Sequence, residues 1–159
     1  MPLEPEDQQH LRAAVGYVEL GMPLDANEEL ECIDPEVRHV AEVLIVRLEI
    51  YRALKEWDLM QTVAARLAAH DPEEGQWAIS LAYATRRAES IAAAKAVLVA
   101  AGEEHGGEAL IHYNLACYEC QLGNIAEAKE RLSKAITLQK ECRLMALEDE
   151  DLQPLWDSL

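Results

Sequence analysis

The chain contains no phenylalanine, and aromatic residues make up only 5% of it. Runs of β-branched residues are scarce, while alanine and leucine dominate. That balance favours helix over sheet. Basic residues are also few: Lys and Arg total 14 against 30 Asp and Glu, a formal net charge of −16. So acidic a chain repels phosphate backbones, which argues against nucleic acid as a partner. No apolar run approaches the roughly 18 residues of a membrane span. The opening "MPLEPEDQQH" has neither a basic n-region nor an apolar h-region, so a soluble, cytoplasmic protein is expected. The four cysteines, Cys32, Cys117, Cys120 and Cys142, are then expected as free thiols.

Chemical motifs are equally thin. Cys117 and Cys120 form a CxxC, but Cys32 and Cys142 supply no second one, so half of a zinc site is missing. His112 lies five residues before Cys117 and turns about 140° away from it on a helix. A thioredoxin-like redox pair needs a βαβ context, which the pattern lacks. The histidines His10, His39, His70, His105 and His112 form no HxxxH, and there is no GxSxG. The "GEEHGGE" segment is too acidic to cradle a phosphate. No catalytic residue, cofactor or metal is therefore expected. The cysteines are read as small hydrophobes in a helix.

What the sequence does contain is a period. Leu115-Ala116, Gly123, Ala128, Leu132 and Ala135 fall 34 residues after Leu81-Ala82, Glu89, Ala94, Leu98 and Ala101. Another step back of 34 gives Leu48, Met60, Ala64 and Leu67, and a further one Ala14, Gly21, Ala26, Leu30 and Ile33. Tyr17 and Tyr51 share a column. Within each half-repeat the apolar residues recur at i, i+3, i+4 and i+7, the helical period. Gly21 and Gly123 stand where a helix ends in a left-handed residue. Asp71-Pro72-Glu73-Glu74 and Asp34-Pro35-Glu36 read as N-cap, proline at N1 and acid in the first turn. The expected helices are about 6–20, 24–32, 36–54, 57–70, 73–87, 90–102, 107–122 and 125–138. Gly21 to Pro35 leaves room only for a short second helix. A capping helix over about 140–147 and a turn of helix near Leu152 to Trp156 would follow. Leu144, Leu147, Leu152, Leu155 and Trp156 are the residues expected to cover the open end of the array.

A 34-residue period with these small and large apolar columns resembles the tetratricopeptide repeat (TPR). The resemblance implies an all-α, right-handed superhelical array of antiparallel helix pairs, about four repeats with a C-terminal capping helix. As a single domain over 1–159, the repeats would fall near 7–40, 41–74, 75–108 and 109–140, with the cap at 140–159. It also implies a non-enzymatic protein–protein interaction module or scaffold, with a partner peptide in a groove lined by the first helix of each repeat. A small bacterial secretion-type chaperone is a close variant. The rival class is a cysteine-dependent redox or metal-binding protein acting through Cys117 and Cys120. The groove columns hold Arg52 in the second repeat, Tyr83, Arg86 and Arg87 in the third, and Tyr113, Asn114 and Cys117 in the fourth. Asn114 stands where groove-binding relatives carry an asparagine that clamps a peptide. Cations and tyrosines converging in an acidic chain point to an acidic or C-terminal carboxylate-bearing peptide. The alternative is that Arg86 and Arg87 only bridge to acids such as Glu49 or Glu119. A homodimer is compatible with the pattern.

Overall fold

The computed structural model describes residues 2–159, and among them every regular element is helical. The chain divides between Asp71 and Pro72 into two compact units. The first holds α1 (Pro5–Glu19), α2 (Pro23–Glu31), a 3-10 turn (Pro35–Val37), α3 (Ala41–Leu54) and α4 (Trp57–His70). The second holds α5 (Gln76–Ala88), α6 (Ile91–Glu104), α7 (Ala109–Gln121), α8 (Ile125–Leu138), α9 (Cys142–Glu148) and a 3-10 segment (Glu150–Ser158). Neighbours in sequence pack as helix pairs: α1 with α2, α3 with α4, α5 with α6, and α7 with α8. No described helix is long and apolar enough to cross a membrane.

The 34-residue columns are the cores. Ala14, Ala82 and Ala116 are wholly buried, as are Ala26, Met60, Ala94 and Ala128 in the paired helices. Alanine at most of these sites lets the helix backbones approach closely, because nothing larger stands between them. Leu30, Ala64, Leu98 and Leu132 form the next buried column. In the first unit Ala14, Ala26 and Leu30 join Ile33, Val37, Val43, Val46 and Ile50. In the second the core runs from Ala82 through α7 to Leu152 and Leu155.

The helix ends follow the same period. At Gly21 (φ +72°) and Gly123 (φ +84°) the chain turns left-handed. In each case the glycine N–H and the following N–H donate back into the last turn, as Gly21 N to Val18 O and Met22 N to Tyr17 O, or Gly123 N to Cys120 O and Asn124 N to Glu119 O. This is a Schellman closure. Lys55 lies in the same column and adopts φ +58° without the freedom of glycine, which costs about 1–2 kcal/mol. The α6 N-terminus is closed by Ser90, whose Oγ accepts from Ala93 N at 3.0 Å.

Three expectations are corrected. The helix expected over 36–54 is broken: Asp34 caps only one 3-10 turn, accepting from Glu36 N at 3.0 Å, and α3 starts afresh at Ala41. The helix expected to start at Asp71 begins only after Gly75: Pro72 and Glu73 form a turn, and Glu74 Oε1 accepts from Gln76 N at 3.1 Å. At the C-terminus the cap forms, but with fewer residues facing inward. Leu152 and Leu155 are buried and Trp156 is half-buried, donating its indole N–H to Ala146 O at 2.7 Å. Leu144 and Leu147 are exposed, at 67% and 38%. On α9 the inward stripe is Cys142 and Ala146, four apart, which places Leu144 and Leu147 on other faces.

Candidate functional site

Arg86 and Arg87 are sequence neighbours on α5, so they project about 100° apart. Arg86 Nη1 and Nη2 donate to Asp151 Oδ2 and Oδ1 at 2.7 and 3.1 Å, a bidentate pair. Asp151 thereby favours the charged guanidinium through that hydrogen bond. The Arg86 guanidinium also stands 5.7 Å from the Tyr118 ring centre. Arg87 instead lies 3.5 Å over the Tyr83 ring and donates to Tyr83 O at 2.9 Å. Arg87 is exposed and Tyr83 half-buried.

On α7, Tyr113 and Cys117 are one turn apart and both face Asp149. The Tyr113 hydroxyl donates to Asp149 Oδ2 at 2.9 Å, and Cys117 Sγ lies 3.6 Å from the same oxygen. Gln121, one turn further, donates to Asp151 O at 3.2 Å. The turn is held open for these contacts by its own cap: Asp149 Oδ1 accepts from Asp151 N at 3.0 Å. Arg86, Tyr113 and Cys117 are thus brought together, and what gathers them is the chain's own acidic segment. Asn114, on the neighbouring face of α7, is half-buried. Arg52, in the first unit, pairs with Glu49 at 3.4 Å.

Glu119 is buried on α7, and its carboxylate is 2.6 Å from Lys95 Nζ. It therefore has a cation of its own and does not need Arg86. His112 is also buried. Its ring sits 2.8 Å from Gly106 O through Nε2 and 3.3 Å from Arg131 Nη1 through Nδ1. The tautomer that satisfies both carries the proton on Nε2. A structural imidazole, turned away from Cys117, is the outcome.

Cys117, Cys120 and Cys142 are buried, and burial pushes all three thiols up. For Cys117 the neighbouring Asp149 charge adds to the effect. Burial likewise raises the Tyr113 hydroxyl, with its bond to Asp149 second, and moves Tyr118 up to about 12 against the opposing charge of Arg86. Such thiols stay protonated and are poor nucleophiles. Cys117, Asp149 and Asp151 do place three ligand-type atoms within 4.8 Å of one another. Arg86 already chelates Asp151 there, and a divalent ion would have to displace that guanidinium.

No family model matches the chain, and no curated protein does. Solved structures do. MamA MSR-1 C2 is 21% identical at a TM-score of 0.70, covering 83% of this chain and 76% of that one. The MamA RS-1 ArsTM double mutant is 14% identical at 0.75, covering 87% and 78%. TTC0263, a thermophilic TPR protein in Thermus thermophilus, is 21% identical at 0.69, covering 96% and 82%. The fold is that of the tetratricopeptide repeat. In TPR terms α1, α3, α5 and α7 are the first helices of their pairs, so Arg52, Tyr83, Arg86, Tyr113 and Cys117 all stand on first helices. The sequence pattern did not single out Asp149 and Asp151. Their signal was the acid run Glu148–Asp151 directly before Leu152-x-x-Leu155, an apolar cap with charges attached to its leading edge.

Proposed function

We propose that this chain is a non-enzymatic protein-interaction module, and that the first-helix face of the second unit carries its partner site. The TPR fold supports the class of function, because each helix pair buries its columns between the two helices while one face of the first helix can meet a ligand. The observation that carries the finer reading is the acidic segment Asp149–Asp151 seated on Arg86, Tyr113 and Cys117. A surface that holds two aspartates of its own chain has the donors to recognise acidic peptide side chains or a C-terminal carboxylate. Arg86 is engaged by Asp151; beside it the Arg87 guanidinium is exposed over the Tyr83 ring, and the Asn114 amide is half-buried. The stacked ring fixes the guanidinium plane and lowers the entropy lost on binding.

The expected affinity is of micromolar order, since the net charge of −16 opposes an acidic partner at long range. The test is fluorescence anisotropy with a panel of acidic peptides, each with a free and an amidated C-terminus. Saturable binding that falls about tenfold in Arg87→Glu supports the reading. Binding unchanged in Arg87→Glu and in Asn114→Ala would show that the partner sits elsewhere.

A further inference from the structure

The first unit contains a cavity whose wall opposes the character of the whole molecule. It has a volume of about 340 Å³ and lies between the turn Pro35–His39, α3 and α4. Three arginines line it, Arg38, Arg47 and Arg66, with His39, and no carboxylate side chain does. By contrast, the cavity beside Lys95 and Arg131 in the second unit has Glu119 and Glu127 in its wall. In a chain where acids outnumber bases two to one, a concavity lined by three guanidinium groups, two of them sharing the single carboxylate of Glu31, keeps a net positive wall.

Its origin is the irregular first repeat. The second helix of that repeat, α2, stops at Glu31, and the chain runs through turns until α3 begins at Ala41. Those turns carry Arg38 and His39 to the rim. On α3 the wall is Leu44, Arg47 and Tyr51 at i, i+3 and i+7. On α4 it is Leu59, Thr62, Val63 and Arg66 at i, i+3, i+4 and i+7. Each helix turns one continuous stripe toward the cavity. Leu44 and Val63 are buried and form an apolar floor, and Leu59 is an exposed apolar edge.

The cations differ in how far the chain already uses them. Arg38 donates to Ile33 O, Glu31 O and Glu31 Oε2, and so contributes fixed charge. Arg47 is held through Nη1, which donates to Asn27 Oδ1 at 2.9 Å and Glu31 Oε1 at 3.0 Å. Glu31 is the single carboxylate shared by both. The remaining Arg47 nitrogens are then oriented by that anchor. Among the described residues Arg66 has no ion-pair partner, and it is exposed at the cavity edge. One pinned and one uncommitted guanidinium, with Tyr51 and the apolar Leu44, Leu59 and Val63 in the same wall, suit a tetrahedral dianion with an attached organic group.

We propose that this cavity binds the phosphate group of a small phosphate monoester, with Arg47 and Arg66 on the phosphate oxygens and the organic part on Leu44, Leu59 and Val63. The site is independent of the partner face in the second unit. It does not conflict with the exclusion of nucleic acid, because a polyanion feels the whole acidic surface whereas a small ligand feels only the local wall.

Isothermal titration calorimetry with phenyl phosphate, inorganic phosphate and benzoate tests it at low ionic strength. The expected result is saturable binding of phenyl phosphate with Kd on the order of 0.1–1 mM, and weaker binding of the other two. Arg66→Glu lowers the phenyl phosphate affinity about tenfold or more, whereas Arg12→Glu, the same charge change at an exposed position on α1, leaves it within about twofold. Tyr51→Phe, which keeps the apolar wall, reduces it severalfold. Circular dichroism confirms that each variant is folded. Absence of saturable binding, equal losses in Arg66→Glu and Arg12→Glu, or benzoate binding as tightly as phenyl phosphate would each overturn the proposal.

Discussion

The two units use their arginines in opposite ways. In the second, Arg86 is closed on Asp151 in a bidentate pair, and the face around it is occupied by the acidic turn Asp149–Asp151. In the first, Arg38 and Arg47 share one carboxylate, Glu31, while Arg66 stands at the edge of an acid-free cavity. A net charge of −16 does not distinguish these situations. What distinguishes them is whether the chain returns an acid to the cation. The C-terminal segment does so in the second unit. In the first, Glu31 serves both Arg38 and Arg47, and among the described residues no acid is returned to Arg66.

The sharpest way to break that comparison is to remove the returning segment. Deleting residues 149–159 withdraws Leu152 and Leu155, both essentially fully buried, from the second core. At about 1.5–3 kcal/mol per leucine the loss is about 3–6 kcal/mol. At about 2–4 °C per kcal/mol, a thermal melt should then fall by roughly 6–24 °C. Size-exclusion chromatography should show self-association through the bared face. An unchanged melt with a monomeric profile would show that the segment is not a cap.

A second test sharpens the comparison through pH. Cys117, Cys120 and Tyr118 lie in the second unit, and burial raises each of them, Tyr118 to about 12. Each is neutral when protonated, so between its unfolded and folded values the native state keeps a proton that the unfolded chain has released. Stability is then complete below about pH 8 and declines above it. Urea titrations at pH 8 and pH 11 should differ by about 1–3 kcal/mol, smaller at the higher pH. Flat stability across that range would mean that these groups are solvated. Rapid thiol reaction at pH 7 would revive the cysteine-based reading.

The smallest expected effect belongs to the first unit and to the repeat itself. Lys55 occupies a left-handed position that its column fills with glycine at positions 21 and 123. Lys55→Gly should stabilise the protein by about 0.5–1 kcal/mol, measured by chemical denaturation. Gly123→Ala should destabilise it by a similar amount.

The fold was legible because the 34-residue columns report burial directly. Met60 is far larger than Ala26, Ala94 and Ala128, yet all four are fully buried. Helix ends were legible where glycine marked them and less so where proline did. Asp34-Pro35-Glu36 and Asp71-Pro72-Glu73 have the chemistry of a helix start, but a cap can close a single turn as well as a helix. Tertiary packing decided between the two. Of the candidate site, the column assignment placed Arg86, Tyr113 and Cys117 on first helices. It could not say who meets them, because Asp149 and Asp151 lie outside the repeat and reach α7 and α5 only through the cap. The cavity of the first unit was hidden for a related reason. Arg47 and Arg66 sit on stripes that are not groove columns, and Arg38 and His39 lie in the segment where the period lapses.

Arg86 serves the chain's own acidic turn. A double-mutant cycle of Arg86→Ala and Asp151→Ala, followed by urea denaturation, measures it most directly. A bidentate, half-buried pair predicts a coupling of about 1 kcal/mol. A coupling indistinguishable from zero would mean that Asp151 does not hold Arg86.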